Sequence, residues 1–181
     1  MTSTQRPAVV YTVGHSTRPI DAFIALLNSH AVKALADVRT VPKSRHNPQF
    51  GREALAASLA DAGIAYRPFP GLGGFRRPRP DSPNTGWRNT SFRGYADYMQ
   101  TDEFRGHLDA LVDLARAQTL AVMCAEAVPW RCHRSLIADA LTVRGIPVAE
   151  IAGETRTQPH RLTPFARVDG PVLTYPGLVG D

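Results

Sequence analysis

The sequence lacks the features that mark membrane and secreted proteins. No apolar run approaches the roughly 20 residues that a membrane-spanning helix needs, and the first residues contain no apolar signal-peptide core. Only two cysteines occur among 181 residues. These shortages predict a cytoplasmic protein with no membrane partner, in which Cys124 and Cys132 are reduced thiols and not a disulfide.

Lysine is also nearly absent, because only two of the 21 basic residues are lysines; the net charge is +5. Arginine therefore dominates, and its planar guanidinium binds phosphate and carboxylate oxygens in pairs. An arginine-rich genome would give the same composition. However, arginines cluster in the polar loop 39–49 and again in segment 75–95, where aromatic residues lie among them. Basic and aromatic residues together are typical of nucleic-acid binding. The predicted partner is an anionic small molecule or a nucleic acid, with simple solvated loops as the alternative.

Strand-like and helix-like patterns alternate along the chain. Strands are expected at 8–13, 32–38, 64–69, 119–123 and 146–151, and helices from residue 19, at 52–62, at 93–99, after Thr101 and at 131–144. Alternation of this kind is typical of βαβ units and a parallel sheet. We predict one Rossmann-like, three-layer α/β/α domain with about five mostly parallel strands. It spans residues 1–152, and an irregular tail occupies 153–181.

The glycine pattern of ordinary dinucleotide-binding folds, Gly-x-Gly-x-x-Gly, does not occur. The sequence therefore requires no cofactor and identifies none.

Six motifs in unbroken order resemble a known family over about residues 10–152. They are Val13-Gly-His-Ser-Thr17, Asp37-Val-Arg39, Ser44-Arg-His-Asn-Pro-Gln-Phe50, Leu72-Gly-Gly74, Phe92-Arg-Gly-Tyr-Ala-Asp-Tyr-Met99, and Met123-Cys-Ala-Glu126 through Cys132-His-Arg134. The chain resembles the family numbered 488 among the domains of unknown function. This resemblance implies a compact, mostly parallel α/β domain found in bacteria and archaea, and it implies no particular activity.

The same motifs place reactive side chains at the ends of three predicted strands. They are His15 and Ser16 after the first strand, Asp37 and Arg39 after the second, and Cys124 and Glu126 after the fourth. Because the carboxyl ends of parallel strands share one edge of the sheet, we predict a single crevice there. Four side chains are expected to approach one another across it: His15, Arg39, Glu126 and His133.

Glu126 is the main candidate for acid/base catalysis in this crevice. A carboxylate after a buried strand is suited to proton transfer or to accepting a substrate hydrogen bond. An ion pair with Arg131 or Arg134 is the alternative. His15, in the first strand-to-helix turn, is a second candidate catalytic residue.

Cys124 and His133 complete the candidate catalytic set. Cys124 is either a nucleophile activated by neighbouring cations or a buried structural cysteine. His133 is either a proton shuttle or a structural histidine, and Cys132 is expected in the core. Cys124, Cys132 and His133 lack the usual spacing of zinc ligands, so no metal site is predicted.

Six further residues are candidates for substrate binding: Ser16, Asp37, Arg39, Arg45, Tyr95 and Arg134. The sequence favours an enzyme acting on a nucleotide-like or nucleic-acid substrate through this Cys/Glu/His/Arg crevice. A non-catalytic module that binds nucleic acid or an anionic metabolite is the first alternative. A thiol-redox protein, based on Cys124 and Cys132, is the second.

Overall fold

The computed structural model describes residues 9–177, which form alternating strands and helices. The strands are β1 (Val10–Gly14), β2 (Ala34–Asp37), β3 (Ala65–Pro68), β4 (Leu120–Cys124), β5 (Val148–Gly153), β6 (Arg156–Pro159), β7 (Arg167–Asp169) and β8 (Val172–Thr174). The helices are α1 (Ile20–Ser29), α2 (Arg52–Asp61), α3 (Thr90–Tyr98), α4 (Asp102–Ala117) and α5 (Arg134–Val143). Short 3-10 turns lie at Pro48–Phe50, Pro70–Leu72 and Pro129–Arg131.

Six strands form the main sheet in the order β3-β2-β4-β1-β5-β6. The first five are parallel, and β6 pairs antiparallel with β5. The predicted Rossmann-like α/β domain with a mostly parallel sheet is thus confirmed. Its carboxyl edge carries the loops that follow β1, β2, β3 and β4.

Two apolar cores, one on each face of the sheet, make the domain three layers thick. One core contains buried residues of α1 and α2, and the other contains buried residues of α3, α4 and α5. Strand β4 is buried on both faces: Leu120, Val122 and Cys124 join the second core, and Ala121 and Met123 join the first. The Cys124 side chain therefore points toward the layer of α3, α4 and α5.

Helix α4 illustrates how the sequence specifies these layers. The Thr101 hydroxyl accepts a hydrogen bond from the Phe104 N–H, which satisfies one of the unpaired donors of the first turn. Apolar residues then recur three or four positions apart and are buried against the sheet, as expected for an amphipathic helix. They are Phe104, Leu108, Leu111, Val112 and Ala115.

Two helices begin at residues other than those predicted. Helix α3 begins at Thr90 because the Asn89 side chain accepts hydrogen bonds from two N–H groups of the first turn. Helix α5 begins only at Arg134, because Pro129–Arg131 forms a separate 3-10 turn.

The C-terminal segment is less irregular than predicted. It supplies the edge strand β6 and the β7–β8 hairpin. Asp139 of α5 is fully buried and anchors this segment, accepting hydrogen bonds from His160, from the backbone and hydroxyl of Thr163, and from the Tyr175 hydroxyl. Sequence patterns show no such anchor because its partners are 21 to 36 residues away.

Across residues 9–177, none of the helices combines the length and the apolar character needed to cross a bilayer.

Candidate functional site

A cleft of about 410 Å³ opens at the carboxyl edge of β2 and β4. Its walls are the loops after these strands, the segment around Phe75, and the start of α3. The residues that line it are Arg39, Thr40, Val41, Lys43, Gly74, Phe75, Asn89, Ser91, Phe92, Tyr95, Cys124, Ala125, Glu126, Arg131, Cys132 and His133. The volume lies in the range of about 300–1,000 Å³ that is typical of small-molecule sites.

Half of the candidate site residues line this cleft. They are Cys124, Glu126, His133, Arg39 and Tyr95. The other five lie outside the lining: His15, Ser16, Asp37, Arg45 and Arg134. Of the four side chains expected to approach one another, Arg39, Glu126 and His133 share the cleft, and His15 does not.

Glu126 presents an exposed carboxylate to the cleft. Its backbone is fixed, because its carbonyl accepts a hydrogen bond from Arg134 and packs directly against Gly14. A Cβ at position 14 would overlap that carbonyl, so a glycine is required there. Within residues 9–177 the Glu126 carboxylate has no ion-pair partner: Arg134 pairs with Glu150 instead. The alternative of an ion pair with Arg131 or Arg134 is therefore wrong.

Arg134 is fully buried beneath the cleft, where it donates hydrogen bonds to the loop after β4. Its Nη2 donates to Oε1 of Glu150 at 2.7 Å and to the Ala127 carbonyl at 3.1 Å. Its Nη1 donates to the Glu126 carbonyl and to the Cys124 sulfur, both at 2.6 Å. With its donors engaged in this way, Arg134 organises the loop after β4 and has no free donor pair for a substrate anion.

The sulfur atoms of Cys124 and Cys132 meet at the wall of the cleft, where the two residues are paired as a disulfide. The prediction of two separate thiols is therefore wrong for this structure. Both residues are nearly buried but line the cleft. The bond closes a short loop that carries Glu126 and Arg131. In this oxidised form Cys124 is a wall of the cleft and has no free thiolate.

His133 lies between the cleft and the core. Its Nε2 is 2.9 Å from the Val38 carbonyl, which can only accept, so Nε2 carries the proton and Nδ1 is an acceptor. Nδ1 is 3.7 Å from the Cys132 sulfur. Burial lowers the pKa of His133 to about 4, outweighing the hydrogen bond to Val38, which raises it. The imidazole is neutral at pH 7.

Asp37 and Arg39 form a buried ion pair at the end of β2. Arg39 donates from Nη2 at 2.7 Å and from Nε at 2.9 Å to the carboxylate, and from Nη1 to the Phe50 carbonyl. Tyr66 donates its hydroxyl to the same carboxylate, and burial, assisted by this hydrogen bond, raises the pKa of Tyr66. This network fixes the loop after β2 and leaves the guanidinium of Arg39 little capacity for a substrate.

His15 and Ser16 occupy a turn on the other side of β4. The His15 ring stacks on Phe50 at 4.2 Å between centroids, and its Nδ1 is 2.7 Å from the Ser16 carbonyl. Burial lowers the pKa of His15. Ser16 adopts a left-handed backbone with φ of 51°. Both residues lie outside the cleft lining: His15 packs on Phe50 in the core beside α1 and α2, on the face of the sheet opposite the Cys124 side chain.

Tyr95 and Arg45 differ sharply in their surroundings. Tyr95 is fully buried beside His133, and its hydroxyl donates to the Leu72 carbonyl at 2.9 Å. Burial also raises the pKa of Tyr95. Arg45 is exposed in the loop after β2, outside the cleft lining.

Three of the cleft residues outside the predicted set have side chains suited to contact a ligand. Lys43 and Arg131 are exposed cations, and Phe75 is 84% exposed with a positive φ of 57°. The left-handed backbone of this exposed aromatic residue is a feature that only the structure shows, because the sequence does not give φ. In the part of the chain that the structure covers, no group of three or more His, Cys, Asp and Glu side chains is arranged to hold a metal ion.

The fold and the cleft define a single-domain α/β protein with a ligand-sized site at the carboxyl edge of its sheet. The chain belongs to the family described as "Domain of unknown function DUF488", whose family model matches residues 19–141. That stretch runs from the start of α1 to α5 and includes every residue that lines the cleft. No curated protein and no solved structure matches the chain.

Proposed function

We propose that this protein is an enzyme that acts on an anionic, nucleotide-like substrate bound in the cleft. The observation that carries the proposal is the exposed carboxylate of Glu126, which has no ion-pair partner within residues 9–177. It shares one cleft with exposed cations and an exposed aromatic ring. We also propose a cytoplasmic location, which subcellular fractionation tests.

Arg131 and Lys43 are the cations suited to hold the anionic group. Both are exposed and line the cleft, Arg131 after β4 and Lys43 after β2. The sequence assigned this role to Arg39, Arg45 and Arg134, but Arg39 and Arg134 are held by internal carboxylates. Phosphate binding is therefore proposed for Lys43 and Arg131, whose hydrogen-bond donors are exposed to solvent.

Phe75 and Trp130 favour a substrate with a planar base. Among residues 9–177 they are the most exposed large hydrophobic side chains, at 84% and 70%. Phe75 lines the cleft, and Trp130 precedes Arg131 in the turn after β4. Aromatic rings left in water are suited to stacking on bases, which contributes about 1–3 kcal/mol per base.

Glu126 would exchange a proton with the bound substrate as a general acid or base. Its backbone is fixed by Arg134 and Gly14 while its carboxylate stays in the cleft, which gives a positioned group with a free proton-accepting oxygen. His133 is neutral, and its Nδ1 would act as a hydrogen-bond acceptor beneath the site.

Binding is tested with nucleoside monophosphates and a short single-stranded oligonucleotide, titrated at low and moderate salt. We expect R131A and F75A each to weaken binding about tenfold or more, and affinity to fall with salt as phosphate contacts release counterions. The matched control is R116A, because Arg116 is exposed in the last turn of α4, before the start of β4 at the opposite edge of the sheet. Equal affinities for R131A and R116A would remove the proposed phosphate site.

Catalysis is tested by comparing Glu126→Gln with Glu154→Gln. Glutamine keeps the shape of the side chain and removes its proton chemistry, so E126Q should lose about 10²–10⁴-fold in turnover with binding and folding retained. Glu154 is exposed in the turn between β5 and β6, so E154Q should behave as wild type.

The first readout is depletion of metabolites from a cell extract, followed by assay of the depleted compound. Depletion by wild type and E154Q but not by E126Q supports the enzyme. Nucleotide binding without depletion by any of the three proteins would favour the non-catalytic binding module.

A further inference from the structure

We propose that Cys124 and Cys132 are a reversible dithiol–disulfide pair that exchanges with low-molecular-weight thiols, and that Cys124 is the sulfur released as a thiolate. This activity does not depend on the proposed nucleotide chemistry, and its tests need no nucleotide.

The surroundings of Cys124 favour a negatively charged sulfur. Its Sγ is 2.6 Å from Nη1 of Arg134, a fully buried guanidinium. A positive charge next to a thiol lowers the thiol pKa. Two groups oppose this effect: Glu150 neutralises part of the Arg134 charge at 2.7 Å, and the Glu126 carbonyl lies 3.7 Å from the sulfur. Arg134 is nearer to the sulfur than the Glu126 carbonyl is, so a thiolate at Cys124 has a direct cationic partner.

The surroundings of Cys132 favour the thiol more than those of Cys124. Nδ1 of the neutral His133 is 3.7 Å from its sulfur and can accept the S–H proton. The stabilising contact for a thiolate is the backbone N–H of Arg134 at 3.4 Å, at the start of α5. A neutral N–H donor stabilises an anion less than a guanidinium does, because only the guanidinium adds the attraction of a full positive charge. Two sulfurs joined by one bond thus have unequal tendencies to leave as a thiolate.

This asymmetry determines the direction of exchange. A small thiolate attacks the sulfur of Cys132, forming a mixed disulfide, and the electron pair of the broken S–S bond leaves on Cys124 beside Arg134. A second small thiol, deprotonated, attacks the outer sulfur of the mixed disulfide, and Cys132 leaves and takes up a proton. The protein is reduced to two thiols and two small thiols are oxidised to their disulfide, and the reverse reaction restores the bond.

The bond also links redox state to the walls of the cleft. The segment between the two cysteines carries Glu126 and Arg131, both of which line the cleft. The disulfide ties the two ends of this segment together, and Arg134 holds it from beneath through the carbonyls of Glu126 and Ala127. Reduction would therefore release Glu126 and Arg131 from a covalent anchor and leave the hydrogen bonds from Arg134 in place.

The first experiment equilibrates the wild-type protein in mixtures of reduced and oxidised glutathione, quenches with acid and determines the oxidised fraction by mass spectrometry. We expect an intramolecular disulfide whose population follows the ratio of oxidised glutathione to the square of the reduced form. Absence of the intramolecular bond at every ratio overturns the proposal.

The second experiment assigns the thiolate. The variants C132S and C124S each leave one thiol, and their alkylation by iodoacetamide is followed against pH, each rate being normalised to its plateau at high pH. A free thiol has a pKa of about 8.5 and cationic neighbours lower it by a unit or more. We expect Cys124 at pH 7 to reach a normalised rate on the order of tenfold higher than that of Cys132. Equal profiles, or an earlier plateau for Cys132, overturn the assignment.

The third experiment tests whether Arg134 is the cause of the lowered Cys124 thiol pKa. It compares Arg134→Lys with Arg144→Lys, both in the C132S background. Arg144 lies just beyond the far end of α5 and is exposed, so R144K should leave the profile unchanged. R134K shortens the reach of the cation and should move the profile toward that of a free thiol. Identical profiles for the two variants would show that Arg134 does not stabilise the thiolate. If R134K does not fold, the two single-cysteine profiles decide the assignment.

Discussion

Gly14 and Gly106 respond in opposite ways to the same substitution, alanine for glycine. At Gly14 a Cβ would overlap the Glu126 carbonyl, well inside the 3.0 Å limit that real Cβ contacts essentially never pass. That carbonyl is backbone and is held by Arg134 at 2.6 Å, so it has little freedom to move away. Inserting a methyl group into a well-packed interior costs about 1–3 kcal/mol. We expect G14A to lie near the upper end of that range.

Gly106 provides the matched control because it lies inside α4, and a Cβ added there would meet no atom within 4 Å. Alanine there removes the entropic penalty of a helical glycine, so G106A should stabilise the protein by about 0.5–1 kcal/mol. Urea unfolding followed by circular dichroism measures both changes. The melting temperature of G14A should be about 6–12 °C below that of wild type, since 1 kcal/mol corresponds to about 2–4 °C in a domain of this size. An unfolding midpoint for G14A at or above that of wild type would refute the close packing of β1 on the Glu126 loop.

Two further predictions concern buried groups. Asp139→Asn should destabilise the protein by about 1–3 kcal/mol, because the carboxylate accepts hydrogen bonds from His160, Thr163 and Tyr175. Limited proteolysis should then cut first in the C-terminal segment, and an unchanged cleavage pattern would contradict the anchor. Because the pKa of His133 is about 4 in the folded protein against 6.5 for an unperturbed histidine, the unfolded chain binds the proton more tightly. Stability should therefore fall as pH drops from 6.5 toward 4, by on the order of 1 kcal/mol per unit, and His133→Gln should remove this slope in urea titrations at several pH values. Equal slopes of stability against pH for wild type and the His133→Gln variant would contradict a buried neutral imidazole.

The sequence by itself determined the fold class and the edge of the sheet on which the cleft opens. The alternation of strand and helix patterns requires crossover connections, and crossovers produce parallel strands whose carboxyl ends share one edge. Glu126 and Arg39 could therefore be assigned to one edge from their places after β4 and β2. Local signals such as the Thr101 cap were also sufficient for α4, since both partners of the cap lie within one turn.

Local sequence patterns did not reveal the partners of the charged groups. Arg39 and Arg134 were expected to face a substrate, but Asp37, the Phe50 carbonyl and Glu150 hold them inside the protein. A buried guanidinium needs a carboxylate and carbonyl acceptors, and which of these lie within reach depends on strand order and loop path.

The tertiary structure alone decided which strand ends form the cleft and which sulfur atoms meet. The order β2-β4-β1 brings the loops after β2 and β4 together. His15, after β1, stacks on Phe50 in the core beside α1 and α2. Separate thiols were expected because the cytoplasm is reducing. That argument takes no account of how close the two sulfur atoms lie in the folded chain. The turn at Pro129–Arg131 folds the chain back so that Cys132 returns to Cys124, and such proximity is a property of the folded chain and not of its composition.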